Sequence, residues 1–164
     1  MVSVRVYAAW HESGHAICAW RLGGTVEELS ITSDGRGGHC RIHGLDGMQW
    51  MIQVCAANVA VSVSPFMSHP IPVVEPATAA ATTDTQYIEA AATAGGVELR
   101  ALTEYGASQA MASIKPFINV LDAMAVCLAR RLVISGEDFE AMMRGFGVTP
   151  FVPEPFMPPL EAIL

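Results

Sequence analysis

Along the chain, blocks of apolar positions alternate with short polar and glycine-rich breaks. From Tyr7 to Leu22, Ala, Trp, Ile and Leu dominate, proline is absent, and Gly23-Gly24 supplies a stop, which predicts a first helix. Val26 to Ile31 and Cys40 to His43 then read as two short strands around the turn-rich Ser33-Asp34-Gly35-Arg36-Gly37-Gly38. Met48 to Val63 predicts a second helix that closes before Pro65, and the proline-rich segment Ser64 to Pro76 predicts extended or looped chain. A helical pattern returns from Asp84 to Leu102, weakened by Gly95-Gly96. Lys115 to Leu132 is stronger, with Ile118, Leu121, Ala125, Leu128 and Leu132 on one broad face. Glu137 to Arg144 predicts a short last helix with Ser135 as its cap. The pattern as a whole is mainly α with a small β-strand element, an α+β domain over residues 1–149. A proline-rich tail over residues 150–164 follows, expected to be an extended or mobile arm.

Composition narrows this picture. Of the 164 residues, 52% are hydrophobic and 15% charged, which fits a folded chain with a real core. The net charge of −7 argues against nucleic acid as a partner, since that needs a basic footprint. Cys18, Cys40, Cys55 and Cys127 show no C-x-x-C pair, the pattern of reduced thiols, and Met1 to Val6 lacks a secretory start. A cytoplasmic location is therefore expected. Gly47 to Val74 carries no Asp, Glu, Lys or Arg, but Gln53, Asn58, Ser62, Ser64 and Pro65 interrupt it. It is read as a buried core helix rather than a membrane span.

The chemistry is concentrated in His11-Glu12-Ser13-Gly14-His15, an H-E-x-x-H motif inside the first predicted helix. Residues four apart on a helix differ by about 40° of rotation and roughly 6 Å of rise, so both imidazoles leave one face and can bind one zinc ion. Glu12 lies beside them, placed to act as the general base toward a water. The bland alternative is an exposed helix with two solvated histidines, which Trp10, Ile17 and Trp20 around the motif disfavour. His39, His43 and His69 are further metal-competent side chains, each more commonly a turn or surface histidine.

Ala9-Trp10-His11-Glu12-Ser13-Gly14-His15-Ala16 with Ala19-Trp20 resembles the peptidase helix of FtsH-type zinc metallopeptidases. The strand Val26 to Ile31 with its glycine-rich turn is similar to that family's short edge-strand region. Leu102-Thr103-Glu104-Tyr105-Gly106-Ala107-Ser108 is similar to its T-E-W/Y-G-M-S segment, and Lys115 to Arg144 more loosely to its closing helices. The resemblance implies a zincin-like helical bundle around the H-E-x-x-H helix and a zinc-dependent metalloendopeptidase. It also implies a third ligand, an aspartate at a helix start well past the second histidine, for which Asp84 is the candidate. A helix N-cap explains the same residue, and Glu89 is the rival ligand. On the edge-strand reading, Leu29, Ser30, Ile31 and Thr32 would hold an extended peptide, with His39 in reach of it.

Two departures qualify the resemblance. The sequence has no G-x-x-x-x-G-K-[ST] and too few residues before the zinc helix for an AAA+ ATPase domain, so a peptidase unit alone is the expectation. Any motor would be a separate ATPase partner, and self-association is open. Where the family carries an acidic G-R-x-A-E-E-like stretch, this chain has Val54-Cys55-Ala56-Ala57-Asn58-Val59-Ala60. The leading expectation is an ATP-independent zinc peptidase acting on peptides or unfolded segments. The alternatives are a catalytically inactive peptide-binding or regulatory module of the same fold, and a zinc hydrolase with a non-peptide substrate.

Overall fold

The computed structural model describes residues 4–63 and 79–157. Helix α1 (Val4–Arg21) leads into strands β1 (Thr25–Ile31) and β2 (Gly38–His43), then helix α2 (Gly47–Val63). After the interval come α3 (Ala79–Gly95), α4 (Leu99–Ile114), a 3₁₀ turn Lys115–Phe117, α5 (Ile118–Arg131), β3 (Val133–Ser135) and α6 (Gly136–Gly145). The architecture is mainly helical with one small antiparallel sheet, as the hydrophobic pattern predicts. The looped segment expected between Ser64 and Pro76, and His69 within it, lie outside the described residues.

Helix α1 is the centre of the domain. It packs on α2 and α5 and against both β1 and β2, so its residues from Ala8 to Ala19 are buried on every side. A helix enclosed all round cannot show a one-sided apolar stripe, which is why its sequence looks uniformly apolar except at the motif. Helix α2 starts with a reciprocal cap: the backbone N–H of Gln49 donates to Asp46 Oδ1 (2.8 Å) and that of Asp46 donates to Gln49 Oε1 (2.9 Å). Ten of its residues, from Met51 to Val61, are buried, in keeping with a core helix.

The strand order is β2-β1-β3. Strand β1 faces β2 through Leu29↔Cys40 and Ser30↔His39 and faces β3 through Leu29↔Ile134 and Ser30↔Val133. This corrects the expectation that Val26 to Ile31 forms an edge. The third strand is only three residues long and follows directly on α5, too short to leave an alternating pattern. It is set by Leu132, which ends α5 in the left-handed region (φ 67°) and whose carbonyl accepts from the Ile31 N–H at 2.9 Å.

Other boundaries shift for identifiable reasons. The helical pattern expected from Asp84 to Leu102 is two helices, broken at Gly96, which takes φ 60°. Asp84 consequently lies inside α3, not at its start, and the N-cap reading of this residue falls. Ser135 does cap α6, its hydroxyl accepting from the Asp138 N–H. The run Leu99–Arg131 is long and apolar enough, by length and composition, to cross a membrane, with 39% of its most apolar window buried in the fold. The C-terminal segment is extended but held: Phe151 N–H donates to the Arg21 carbonyl, Glu154 N–H to Gln109 Oε1, and the Tyr105 hydroxyl to the Glu154 carbonyl.

Candidate metal centre

The H-E-x-x-H residues sit in the middle of α1 and are enclosed: His11, Glu12 and His15 are 2%, 3% and 6% exposed. The solvated-histidine alternative is therefore excluded. One turn apart, the two imidazoles meet edge to face, with ring centroids 4.9 Å apart. Across from them, α3 delivers Asp84, whose Oδ2 lies 3.3 Å from His11 Nε2 and 3.3 Å from His15 Nε2. The Asp84 side chain is only 13% exposed. One ligand atom from each of the three residues falls within 4.8 Å of the others. Glu89, the rival ligand, is solvent-exposed further along the same helix and is not part of this cluster.

These contacts do not satisfy the groups that make them. Both ring nitrogens of His11 and Oδ2 of Asp84 are buried without a hydrogen-bond partner, because the 3.3 Å approaches lack hydrogen-bond geometry. Buried polar atoms are almost always paired, and two orphans facing each other, His11 Nε2 and Asp84 Oδ2, are a costly arrangement unless something binds there. A tetrahedral zinc with ligands at about 2.0–2.1 Å has its donor atoms roughly 3.3 Å apart, matching both Asp84–histidine separations. The donor set, two imidazoles and a carboxylate, is the kind that binds zinc with one position left open. The residues present fit the ion.

Electrostatics divides the two carboxylates. Burial by itself would raise Asp84, but the adjacent imidazoles of His11 and His15, which favour its charged form, outweigh it and hold the carboxyl at about 2. Glu12 has no such compensation. Burial pushes it up to about 7, with His11 pulling it down and Asp84 pushing it up to smaller degrees. One carboxylate is thus a fixed anion toward the histidines, and the other is set to exchange a proton near neutral pH.

The surrounding backbone is shaped to this helix. A Cβ on Gly14 would come within 2.5 Å of the Ala60 Cβ and 2.8 Å of the Ala56 carbonyl, so only glycine lets α2 cross α1 this closely. The apolar stretch Val54 to Ala60 supplies the small residues for that crossing. It also brings in Gln53, 4% exposed, whose backbone carbonyl lies 3.0 Å and whose side-chain amide lies 2.7 Å from His15 Nδ1. Sequence reading noted Gln53 only as an interruption of the apolar run. A polar residue in a charge-free core helix is the signal that marks it. Gly38, at the start of β2, lies over the Glu12 carboxylate, and a Cβ there would meet Glu12 Cγ at 2.7 Å and Oε1 at 2.8 Å.

The expected substrate-contacting residues are not brought to the site as a group. Leu29 and Ile31 are buried in the core, and the Ile31 and Thr32 N–H groups are already bonded to Leu132 and Gly37 carbonyls. Ser30, His39 and Glu28 form an exposed cluster on the outer face of the sheet, with Ser30 Oγ 2.9 Å from His39 Nδ1 and His39 Nε2 3.1 Å from Glu28 Oε1. His43, also exposed, pairs with Glu27 at 3.4 Å. Along β2, His39, Arg41 and His43 are exposed while Cys40 turns inward, where the charge of Glu12 reaches it.

Residues 4–63 match a family model described as Peptidase M50B-like. That is a metallopeptidase family distinct from the FtsH-type one, so the match supports a metallopeptidase in general. It spans α1, the hairpin and α2, and stops before the helix that carries Asp84. No curated protein matches the chain.

Proposed function

We propose that this chain is a zinc metallopeptidase that hydrolyses peptide bonds in peptides or unfolded segments without ATP. The observation that carries this reading is the convergence of His11, His15 and Asp84, with orphaned polar atoms, beside a buried Glu12 on the same helix. His11 Nε2, His15 Nε2 and an Asp84 carboxylate oxygen would hold the ion. When bound there, zinc supplies a Lewis acid that polarises a carbonyl and lowers the pKa of a water toward about 7. Glu12 takes a proton from the attacking water onto its carboxylate as the water oxygen bonds to the carbonyl carbon. It then gives that proton to the leaving nitrogen as the C–N bond breaks. The walls formed by α2, β2 and the aromatic ring of Tyr7, stacked on His11 at 6.4 Å, limit competing bulk water.

The strand that would hold the peptide is β2. It occupies an outer position of the sheet, and its first residue, Gly38, lies against Glu12. An extended peptide adding to the free side of β2 would pass beside the general base. A proline placed at His39 or Arg41 therefore tests the strand. Turnover of an unstructured protein such as casein, together with zinc content per chain, tests the whole reading. Zinc near one per chain and cleavage abolished in Glu12→Gln are expected. A zinc-loaded protein that binds peptides without cleaving them would transfer the reading to an inactive binding module of the same fold.

A further inference from the structure

Resting on the zinc site proposed above, we infer that Gln53 is a positioning residue for His15, its backbone carbonyl and side-chain amide oxygen sharing the Nδ1 proton and together fixing the ligand-competent tautomer. Two groups of Gln53 reach one nitrogen: the backbone carbonyl at 3.0 Å and the side-chain amide, placed with its Nε2 toward the ring, at 2.7 Å from His15 Nδ1. A carbonyl can only accept, so Nδ1 must carry the hydrogen. An amide nitrogen facing a protonated Nδ1 at 2.7 Å would set donor against donor, so we assign the amide with its oxygen toward the ring. A half-turn of the amide exchanges the two atoms without moving anything else. The outer amide atom is buried without a partner in either setting, so the imidazole alone selects the orientation.

The consequence lies on the other side of the ring. With Nδ1 protonated, Nε2 keeps its lone pair, 3.3 Å from Asp84 Oδ2 and aimed at the point shared with His11. With the amide reversed, its NH₂ would donate to Nδ1, leaving Nε2 protonated and unable to ligate. His11 has no such counterpart among the described residues, since its Nδ1 is buried without a hydrogen-bond partner and its ring meets only the rings of Tyr7 and His15 there. His15 is thus the pre-set ligand and His11 the one that adapts. The device depends on the α1–α2 crossing at Gly14, because Gln53 and Ala60 stand on the same side of α2, two turns apart.

The test is zinc affinity, measured by competition with a chelator, in the wild type, Gln53→Met and Gln53→Glu. Met has a similar volume and no strong acceptor, whereas Glu offers an acceptor that cannot reverse. Outer partners of metal-binding histidines typically contribute about 10–100-fold in affinity. Gln53→Met is expected to bind zinc about tenfold more weakly or worse, and Gln53→Glu to bind as tightly as the wild type or more tightly. Equal affinity in Gln53→Met and wild type overturns the inference, as does a loss in Gln53→Glu matching that in Gln53→Met. Should Gln53→Met not fold, ring-nitrogen NMR of zinc-loaded wild type decides instead. A slowly exchanging His15 Nδ1 proton is expected, and an unprotonated Nδ1 overturns the assignment. Failure of the wild type itself to bind zinc would remove the site on which the inference stands, an outcome distinct from an insensitive Gln53.

Discussion

Helix α1 buries polar groups at two places, and they are treated in opposite ways. At its C-terminal end the Arg21 guanidinium is buried but fully answered. It donates to the carbonyls of Ser113, Thr149 (2.7 Å) and Pro150, and lies over the rings of Phe117 (4.7 Å) and Phe151 (5.3 Å). In the middle of the helix, His11 and Asp84 approach one another yet leave three buried polar atoms unpaired. An unmade buried hydrogen bond costs about 1–3 kcal/mol, so the second arrangement persists only as a cost set against binding. The contrast separates structure from chemistry on a single helix. Where the fold supplies every partner, the residue holds the chain together; where it does not, the arrangement suits the zinc site proposed above.

The sharpest way to break this comparison is through Glu12, which is buried among the unpaired groups without being one of the three ligand candidates. Glu12→Gln is expected to lower peptide turnover by about 10³-fold while zinc content per chain stays at the wild-type level. Loss of zinc along with turnover would make Glu12 a ligand rather than a base. Next in size is Asp84→Ala. Removing one of three protein ligands is expected to weaken zinc binding by about a hundredfold or more, read by chelator competition. If affinity held in Asp84→Ala, the convergence of the three residues would have no bearing on metal.

Arg21 supplies the opposite control. Arg21→Met is expected to cost about 3 kcal/mol in denaturant unfolding, since several carbonyls lose a charged donor, and to leave zinc per folded chain unchanged. A fall in zinc affinity of the Asp84→Ala size would show that the two ends of α1 are not separate. The smallest expected effect concerns Ser13, fully buried between Glu12 and Gly14 with its hydroxyl unpaired and outside the metal cluster. Ser13→Ala is expected to raise stability by up to about 1 kcal/mol with turnover unaltered. Loss of activity in this variant would place the hydroxyl in the chemistry.

Much of this contrast was legible before any coordinates. His11, Glu12 and His15 were readable because a four-residue spacing on a helix determines which side chains share a face. Asp84 was readable only through family resemblance, and for a reason the fold corrects: it lies inside α3 rather than at its start. Gln53 was visible as a polar residue in an apolar helix, but its partner is on another helix and no local spacing points there. The edge position expected of β1 does not hold because β3, three residues long, covers it, and nothing in the hydrophobic pattern announces that third strand. The described part of the tail is extended, as expected, but Arg21, Gln109 and Tyr105, all distant in sequence, hold it at Phe151, Glu154 and Phe156.

By itself, the sequence determined the helical character, the two long strands and the metal-binding motif, because each follows from interactions within a few residues of chain. Only the tertiary structure decided which helix brings a carboxylate to the two histidines, which strand is outermost among the described residues, and which buried polar atoms there go without partners. Those depend on α1 being enclosed by α2, α5 and the sheet at once, with α3 bringing Asp84 to its histidines. Enclosure is a property of packing, and a chain read one segment at a time does not contain it.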